Sequence, residues 1–340
     1  MLEAQRTVQP LNLHDQFGRH INYLRISLTD HCNLRCVYCM PTQGLTFLPN
    51  QDLLTADEIE AVAQAAVRVG FRKFRLTGGE PTLRRDVVDI VRRIASIPGV
   101  ADLSMTTNGI RLTDLAADLK AAGLRRVNVH IDSLNAERLP QLMRWGRLEK
   151  LWAGLEAAEM AGLAPIKINC VVTKGYNDED VVDMARLTLA HPWGVRFIEL
   201  MPLGGGAEAQ VAVDHFVPSR ETQSRIEVAL GELMPIPNRD PSDESRNYRL
   251  AGAPGAIGFI SPVSAPYCDT CNRMRLTADG KFHLCLLHDD ELDVKAALRG
   301  GGGQTAVEAI LARAVALKPT GHALQRGIHT EDRRMYQIGG

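Results

Sequence analysis

Long apolar runs are missing from this chain. Nowhere do about 18 uninterrupted apolar residues occur, as a bilayer-spanning helix requires, and the N-terminal MLEAQRTVQP has no apolar signal core. The expected location is therefore the cytoplasm, with no membrane partner. A charge excess of one sign is also missing: 39 Lys and Arg stand against 40 Asp and Glu, without a long single-sign stretch. That balance gives no electrostatic basis for nonspecific nucleic-acid or membrane attraction, so any anion site must be local. What is present is 340 residues, 45% of them hydrophobic, enough to bury a substantial core as one large domain or as a barrel plus a smaller module.

Seven cysteines in a chain of this kind point to metal or redox chemistry rather than to a disulfide framework. Six of them fall into two triplets, Cys32, Cys36, Cys39 and Cys268, Cys271, Cys285, and Cys170 stands alone as a core thiol.

From residue 21 to about 203, short β-branched runs alternate with longer helical ones, which predicts βα units on a parallel sheet. Strands are expected at Ile21 to Leu28, Arg72 to Thr77, Ala101 to Thr106, Arg126 to Ile131, Pro165 to Val172 and Gly194 to Leu200. Thr55 with Glu58 forms a capping-box pattern, Thr113 with Asp114 opens a later helix, and Gly123 and Gly162 read as helix stops. Six such units make an α/β fold, a partial (β/α)6 TIM-like barrel, with a gap where a full barrel has two more. Beyond Gly204 the texture turns Gly- and Pro-rich, with a helix expected at Ser219 to Leu233 and a polar linker at Pro235 to Ser245. Residues 1–203 are thus expected to form the barrel, and 204–340 a C-terminal module closing its open side.

Strand alternation sends Leu24, Ile26, Phe74, Leu76, Val127, Val129, Ile131, Ile166 and Ile168 outward toward the helices. The inward set is polar: Arg25, Ser27, Arg75, Thr77, Ser104, Thr106, Asn128, His130, Asp132, Lys167, Asn169 and Glu199. Ordinary barrels fill the centre with branched apolar side chains, so this pattern predicts a wet, charged cavity.

Cys32-x3-Cys36-x2-Cys39 follows the first strand, at the barrel end where active sites lie. Three thiolates in one loop suit a [4Fe-4S] cluster with one iron left open; a zinc site completed by His31 is the alternative. The second triplet brackets a hairpin turning at Asp279-Gly280, and a three-cysteine zinc site using His283 or His288 competes with a second cluster there. Arg273 and Arg275 lie one residue apart on that hairpin and point the same way, as a polyanion site would need.

The loop DHCNLRCVYC, the partial barrel and TGGEP at Thr77 to Pro81 resemble the radical S-adenosylmethionine superfamily. The resemblance implies that the open iron chelates the methionine moiety and that an electron from the cluster releases a 5'-deoxyadenosyl radical. Gly78 and Gly79 would let backbone approach the methionine amino group, with Glu80 to neutralise it. Within the superfamily, TGGEPTLRRD, TTNG at Thr106, NVHIDSL at Asn128, KIN at Lys167, RFIELMP, CDTCNRMR and the terminal Gly339-Gly340 resemble the GTP 3',8-cyclase family of molybdenum-cofactor biosynthesis.

That resemblance implies two [4Fe-4S] clusters, one on each cysteine triplet. It implies S-adenosylmethionine contacts at Tyr38, Gly79, His130 and Met201, where the family usually carries serine in place of His130. It further implies GTP contacts at Arg25, Arg75, Thr106, Lys167, Arg273, Met274 and Arg275, with guanine on the open iron of the second cluster and a catalytic tail at Gly339 and Gly340. The implied lyase reaction starts by hydrogen abstraction from C3' of GTP, followed by attack of the ribose radical on C8. The product is (8S)-3',8-cyclo-7,8-dihydroguanosine 5'-triphosphate. An electron donor and a homodimer are also implied. A radical peptide-modifying enzyme with an auxiliary cluster, and a nonenzymatic zinc or iron-sulfur sensor, are the competing readings.

Overall fold

Residues that alternate apolar and polar between two helical stretches can satisfy both faces of a strand only if one meets helices and the other a polar interior. The computed structural model, which describes residues 13–322, 324 and 330–339, has six such strands in the first 200 residues. They are β1 (Tyr23–Ser27), β2 (Lys73–Thr77), β3 (Asp102–Thr107), β4 (Arg126–His130), β5 (Lys167–Val172) and β6 (Gly194–Glu199), in parallel register from β1 to β6. Each lies inside, or within a residue of, the span expected from the sequence.

The C-terminal part does more than pack against this sheet. It adds β7 (Met234–Ile236), β8 (Arg246–Arg249), β9 (Ala256–Ile260), β10 (Arg273–Leu276), β11 (Lys281–His283) and β12 (Glu291–Asp293). Strand β10 runs parallel to β1 and β9 parallel to β6, so both edges of the six-stranded core gain a parallel neighbour. Antiparallel β11 and β12 continue beyond β10, and β8 and β7 beyond β9. The β10–β11 turn falls at the expected dipeptide, with Gly280 at φ +80°.

Local signals set the helices. Thr55 accepts from the Glu58 N–H at 3.2 Å while Glu58 accepts from the Thr55 N–H at 2.8 Å, the reciprocal cap expected for the Ala56–Val69 helix. Gly123 and Gly162 sit at φ +108° and +70° just past helix ends, as stops should. The helix expected to open at Thr113 begins at Leu112, without a side-chain cap. The later helix ends at Leu230 rather than Leu233, because residues from Met234 join β7, which also takes the first two residues of the expected linker. A Gly303–Ala316 helix, which the sequence reading did not include, lies on the Ala56–Val69 helix, with Arg68 Nε 2.5 Å from Glu308.

The outward apolar set is buried throughout, from Leu24 to Ile168. One inward assignment fails. In the β5–β6 register Glu199 opposes Val172 and Arg196 opposes Asn169, so Arg196 and Ile198 face the cavity, while Glu199 belongs to the other face with Val195 and Phe197. Its carboxylate accepts the N–H groups of Ser219, Val263 and Ser264 at 2.8, 3.0 and 2.9 Å. Glu199 thus fastens the C-terminal part to β6.

Candidate functional site

The cysteine loop is held by backbone. Cys39 and Met40 both donate to the Cys36 carbonyl at 3.0 Å, and the Arg35 guanidinium donates to the Cys32 and Leu34 carbonyls at 2.8 and 2.7 Å beneath the Trp145 ring. Gly79 donates to the Thr29 carbonyl and Glu80 to that of His31, both at 2.7 Å. A Cβ on Gly79 would strike the His31 and Asp30 carbonyls, and one on Gly78, at φ +150°, the Thr29 carbonyl at 2.5 Å. The glycines are therefore required by the approach of the cysteine loop itself, rather than by a ligand as the sequence suggested. Because its N–H is already spent on Thr29, Gly79 offers a ligand its carbonyl oxygen.

Buried Glu80 binds inward. Its carboxylate accepts from Thr82 N and Oγ1 at 3.0 and 2.5 Å, Thr107 Oγ1 at 2.7 Å and Asn108 N at 2.7 Å. Nearby, buried Asp132 accepts from Tyr38 Oη at 2.7 Å and Val171 N at 2.8 Å, with His130 Nε2 at 3.1 Å. Burial works against a charged imidazole here, but the Asp132 carboxylate outweighs it and holds the His130 pKa well above its ordinary value. Tyr38 Oη also lies 2.8 Å from His130 Nε2. Burial pushes the Cys32 and Cys36 thiols up to about 11.

The second triplet sits in a different field. Cys271 donates its N–H to the Cys268 carbonyl at 3.1 Å, and Arg19 donates to that carbonyl at 2.9 Å. Burial raises the Cys271 thiol, but Arg273, Lys318 and Arg275 together bring it down to about 6. Among the described residues, which include all seven cysteines, no disulfide forms. The ligand atoms of Cys36, His130 and Asp132 lie within 4.8 Å of one another, and neither triplet is that compact among the described residues. Thiolates around one zinc at about 2.3 Å would lie within roughly 4 Å of each other. Of the zinc-candidate histidines, His288 Nε2 is 3.0 Å from the Gly321 carbonyl, and His283 Nδ1 is 3.2 Å from Glu291 while its Nε2 has no partner among the described residues.

One cavity connects the two regions. It is lined by Cys32, Cys36, Cys39, Tyr38, Gly79, His130, Met201 and Thr106 on one side and by Arg25, Arg75, Arg273 and Arg275 on the other. The cavity is partly open to solvent. Cys268, Cys271 and Cys285 are not among its lining residues, although their chain neighbours Tyr267 and Leu286 are. Lys167 lines an adjoining basic pocket with Arg126 and Arg196, joined to the first through Arg75, Glu244 and Arg273. Burial, then Arg196, lowers the Lys167 ammonium to about 7.

Met274 departs from expectation. It alternates with the two arginines, opposes Leu24 and is fully buried in the apolar core, so its side chain does not reach the cavity. Gly339 fits against the ends of β1 and β2, where a Cβ would meet Thr77 at 2.6 Å and Ser27 at 3.2 Å. Arg333 anchors this tail through Asp279 at 2.9 Å and Glu291 at 3.0 Å. Gly340 lies outside the described residues.

Sequence reasoning missed Arg196 and Glu244. For Arg196 the sequence shows alternation but not phase, which β6 takes from its pairing with β5. Glu244 gives no such signal, because it sits in a polar linker. Yet its carboxylate accepts from Arg25 at 3.1 Å and Arg273 at 2.5 Å, with Arg196 at 3.8 Å and Arg75 at 3.9 Å. Burial would raise its pKa, but those arginines hold it well below the usual carboxylate range. Arg25 Nε, Arg273 Nη2, Arg275 Nε, Thr106 Oγ1 and Asn169 Oδ1 are buried without a hydrogen-bond partner among the described residues. Such groups are costly unless a ligand or water answers them.

The radical SAM superfamily model matches residues 26–188, and the Molybdenum Cofactor Synthesis C model matches 193–324. The chain is 46% identical to a GTP 3',8-cyclase of Moorella thermoacetica over 96% of its own length and 100% of that protein. It is 45% identical to one of Pelotomaculum thermopropionicum, with the same coverage. The chain belongs to the GTP 3',8-cyclase family. Membership in the radical SAM superfamily brings with it a [4Fe-4S] cluster and S-adenosylmethionine, which the three-thiol loop suits. Among solved structures, Streptococcus suis SuiB bound to precursor peptide SuiA aligns at a TM-score of 0.60 and 14% identity, over 90% of this chain and 67% of that one. SuiB bound to S-adenosylmethionine aligns at 0.56 and 13%, over 80% of this chain and 62% of that one. This likeness shows the shared α/β partial-barrel fold. Among the described residues, no helix is long and apolar enough to cross a membrane.

Proposed function

We propose that this protein is a GTP 3',8-cyclase, a lyase that converts GTP to (8S)-3',8-cyclo-7,8-dihydroguanosine 5'-triphosphate in the first step of molybdenum-cofactor biosynthesis. The observation that carries the reading is a buried arginine wall facing a three-cysteine loop across a single cavity. A radical-generating group and a polyanionic nucleotide need those two surfaces together. Residues 1–203 supply the first, and both parts build the second, with Arg25 and Arg75 from 1–203 and Arg273 and Arg275 from 204–340.

Cys32, Cys36 and Cys39 would hold one [4Fe-4S] cluster, and Cys268, Cys271 and Cys285 a second. When bound, the first cluster with S-adenosylmethionine supplies the adenosyl radical that takes a hydrogen atom from GTP. The protein's own part is positioning. The Gly79 carbonyl accepts from the methionine ammonium, and Tyr38, His130 and Met201 line the place of the cofactor. His130, 3.1 Å from the Asp132 carboxylate that favours its charged form, faces that place. Arg25, Arg75, Arg273 and Lys167, with Arg196, neutralise the triphosphate, while Thr106 and Arg275 offer unused polar atoms to the nucleoside. Met274 contributes only backbone. Gly339 and Gly340 are the proposed catalytic tail, and Gly339 packs against the ends of β1 and β2. The enzyme is assigned to the cytoplasm, as a homodimer served by a separate electron donor.

The test is an anaerobic turnover of reconstituted full-length protein with reductant, S-adenosylmethionine and GTP deuterated at C3'. Deuterium is expected in the 5'-deoxyadenosine. Unlabelled 5'-deoxyadenosine formed alongside product would overturn the assignment.

A further inference from the structure

Glu244 belongs to no barrel strand. It comes from the connection between β7 and β8, a strap laid across the barrel mouth opposite the cysteine loop. Polar contacts tie the strap down: Asn238 donates to the Ser245 carbonyl at 2.7 Å, Arg273 donates to the Ser242 carbonyl at 3.1 Å, Arg196 reaches Asp243 at 3.5 Å, and Lys73 pairs with Asp240. Glu244 borders the main cavity, the basic pocket and an outer groove between Asn238 and Tyr267. It is thus the wall shared by all three.

Its two oxygens stand where four guanidiniums converge, those of Arg25, Arg75, Arg196 and Arg273. Glu244, with Asp243 on Arg196, leaves these four cations under-neutralised, and Arg25 Nε and Arg273 Nη2 are still without partners among the described residues. A chain of phosphates would satisfy more of these donors than Glu244 does, since each carries several acceptor oxygens. It could not share the spot with Glu244, because like charges this close in a desolvated pocket repel.

We propose that Glu244 is a resident counter-ion that holds the arginine cluster together before substrate arrives, and that the polyphosphate of the nucleotide expels it, swinging the 238–245 strap off the barrel mouth. The inference rests on the arginine cluster being the triphosphate site. Wild-type cluster stability then comes from a group that substrate must replace, and strap opening is driven by phosphate charge rather than by the guanine ring.

Two measurements on full-length reconstituted protein test this. In the first, equilibrium binding of GTP and of inorganic triphosphate is compared for wild type, Glu244→Gln and Arg273→Ala. Glu244→Gln is expected to bind both about tenfold or more tightly than wild type, with guanosine affinity unchanged. In the second, needing no variant, hydrogen exchange of residues 238–246 is followed in wild type. Exchange should rise on adding inorganic triphosphate and stay the same with guanosine. Greater protection of that segment with triphosphate, or unchanged affinity in Glu244→Gln, overturns the displacement. If Arg273→Ala binds GTP as wild type does, the triphosphate-site reading has failed instead.

Discussion

At the cysteine-loop end of the cavity, Glu80 receives four hydrogen bonds from its own chain, and Asp132 is met by Tyr38, Val171 and His130. At the arginine end, four guanidiniums crowd one Glu244 carboxylate, and several N–H groups find no partner among the described residues. Both ends are buried, so the contrast does not come from solvent. The first end spends its polar groups on its own geometry, fixing a loop that must hold a reactive group to a fraction of an ångström. The second carries a surplus of positive charge that only an outside anion answers. Rigidity and unmet charge are thus divided between the two ends of one barrel.

The largest expected effect breaks the comparison at the cluster. Cys36→Ala should remove about four irons per chain and abolish 5'-deoxyadenosine formation, a loss on the order of 10³-fold or more. Cys271→Ala should lose a similar amount of iron yet still cleave S-adenosylmethionine, now without yielding cyclised product. Iron content and chromatography of both products check this. Equal loss of 5'-deoxyadenosine in both variants would show that the two triplets do not divide the work.

A smaller effect belongs to the arginine end. Arg273→Ala removes a 2.5 Å partner of Glu244 and one cation of the wall. Truncating one side of a buried charge pair costs about 2–5 kcal/mol, so the KM for GTP should rise roughly 30-fold or more. Affinity for S-adenosylmethionine should stay within about threefold, because none of its proposed contacts touches Arg273. A parallel fall in both affinities would mean that the two ends are not separable.

Much of this division was legible in the sequence where periodicity or spacing carries it. Alternation placed Arg25, Arg75, His130 and Asn169 inside and Leu24, Phe74 and Ile168 outside, because a strand has only two faces. The cysteine triplets announced themselves by clustering. Glu199 went astray since alternation gives parity only once the phase is known, and β6 is set in phase by its pairing with β5, which no local signal reveals. The motif put Arg273, Met274 and Arg275 forward as one unit, whereas the strand sends the side chain of its middle residue to the core. The β10–β11 hairpin was legible, but the joining of β10 to β1 and of β9 to β6 was not, because a C-terminal segment that adds to a distant sheet has no counterpart in local pattern. Glu244 was invisible because its role depends on where a linker lands.

The smallest effect probes the basic pocket by pH. Burial and Arg196 hold the Lys167 ammonium near pKa 7 in the free protein, so it is charged below that pH and increasingly neutral above it. A bound triphosphate favours the charged form and raises that pKa. Binding therefore takes up no proton well below pH 7 and up to one proton above it. By linkage, the Lys167 contribution to GTP affinity should be flat at low pH and then fall as pH rises past 7, by at most about tenfold per unit, until the pKa of the complex is reached. Calorimetry at pH 8 in two buffers of different ionisation enthalpy should detect the uptake. Lys167→Arg keeps its charge over this range and should remove both the uptake and the slope. If the slope persists in Lys167→Arg, the titrating group lies elsewhere, and the arginine end meets its anion with fixed charges alone.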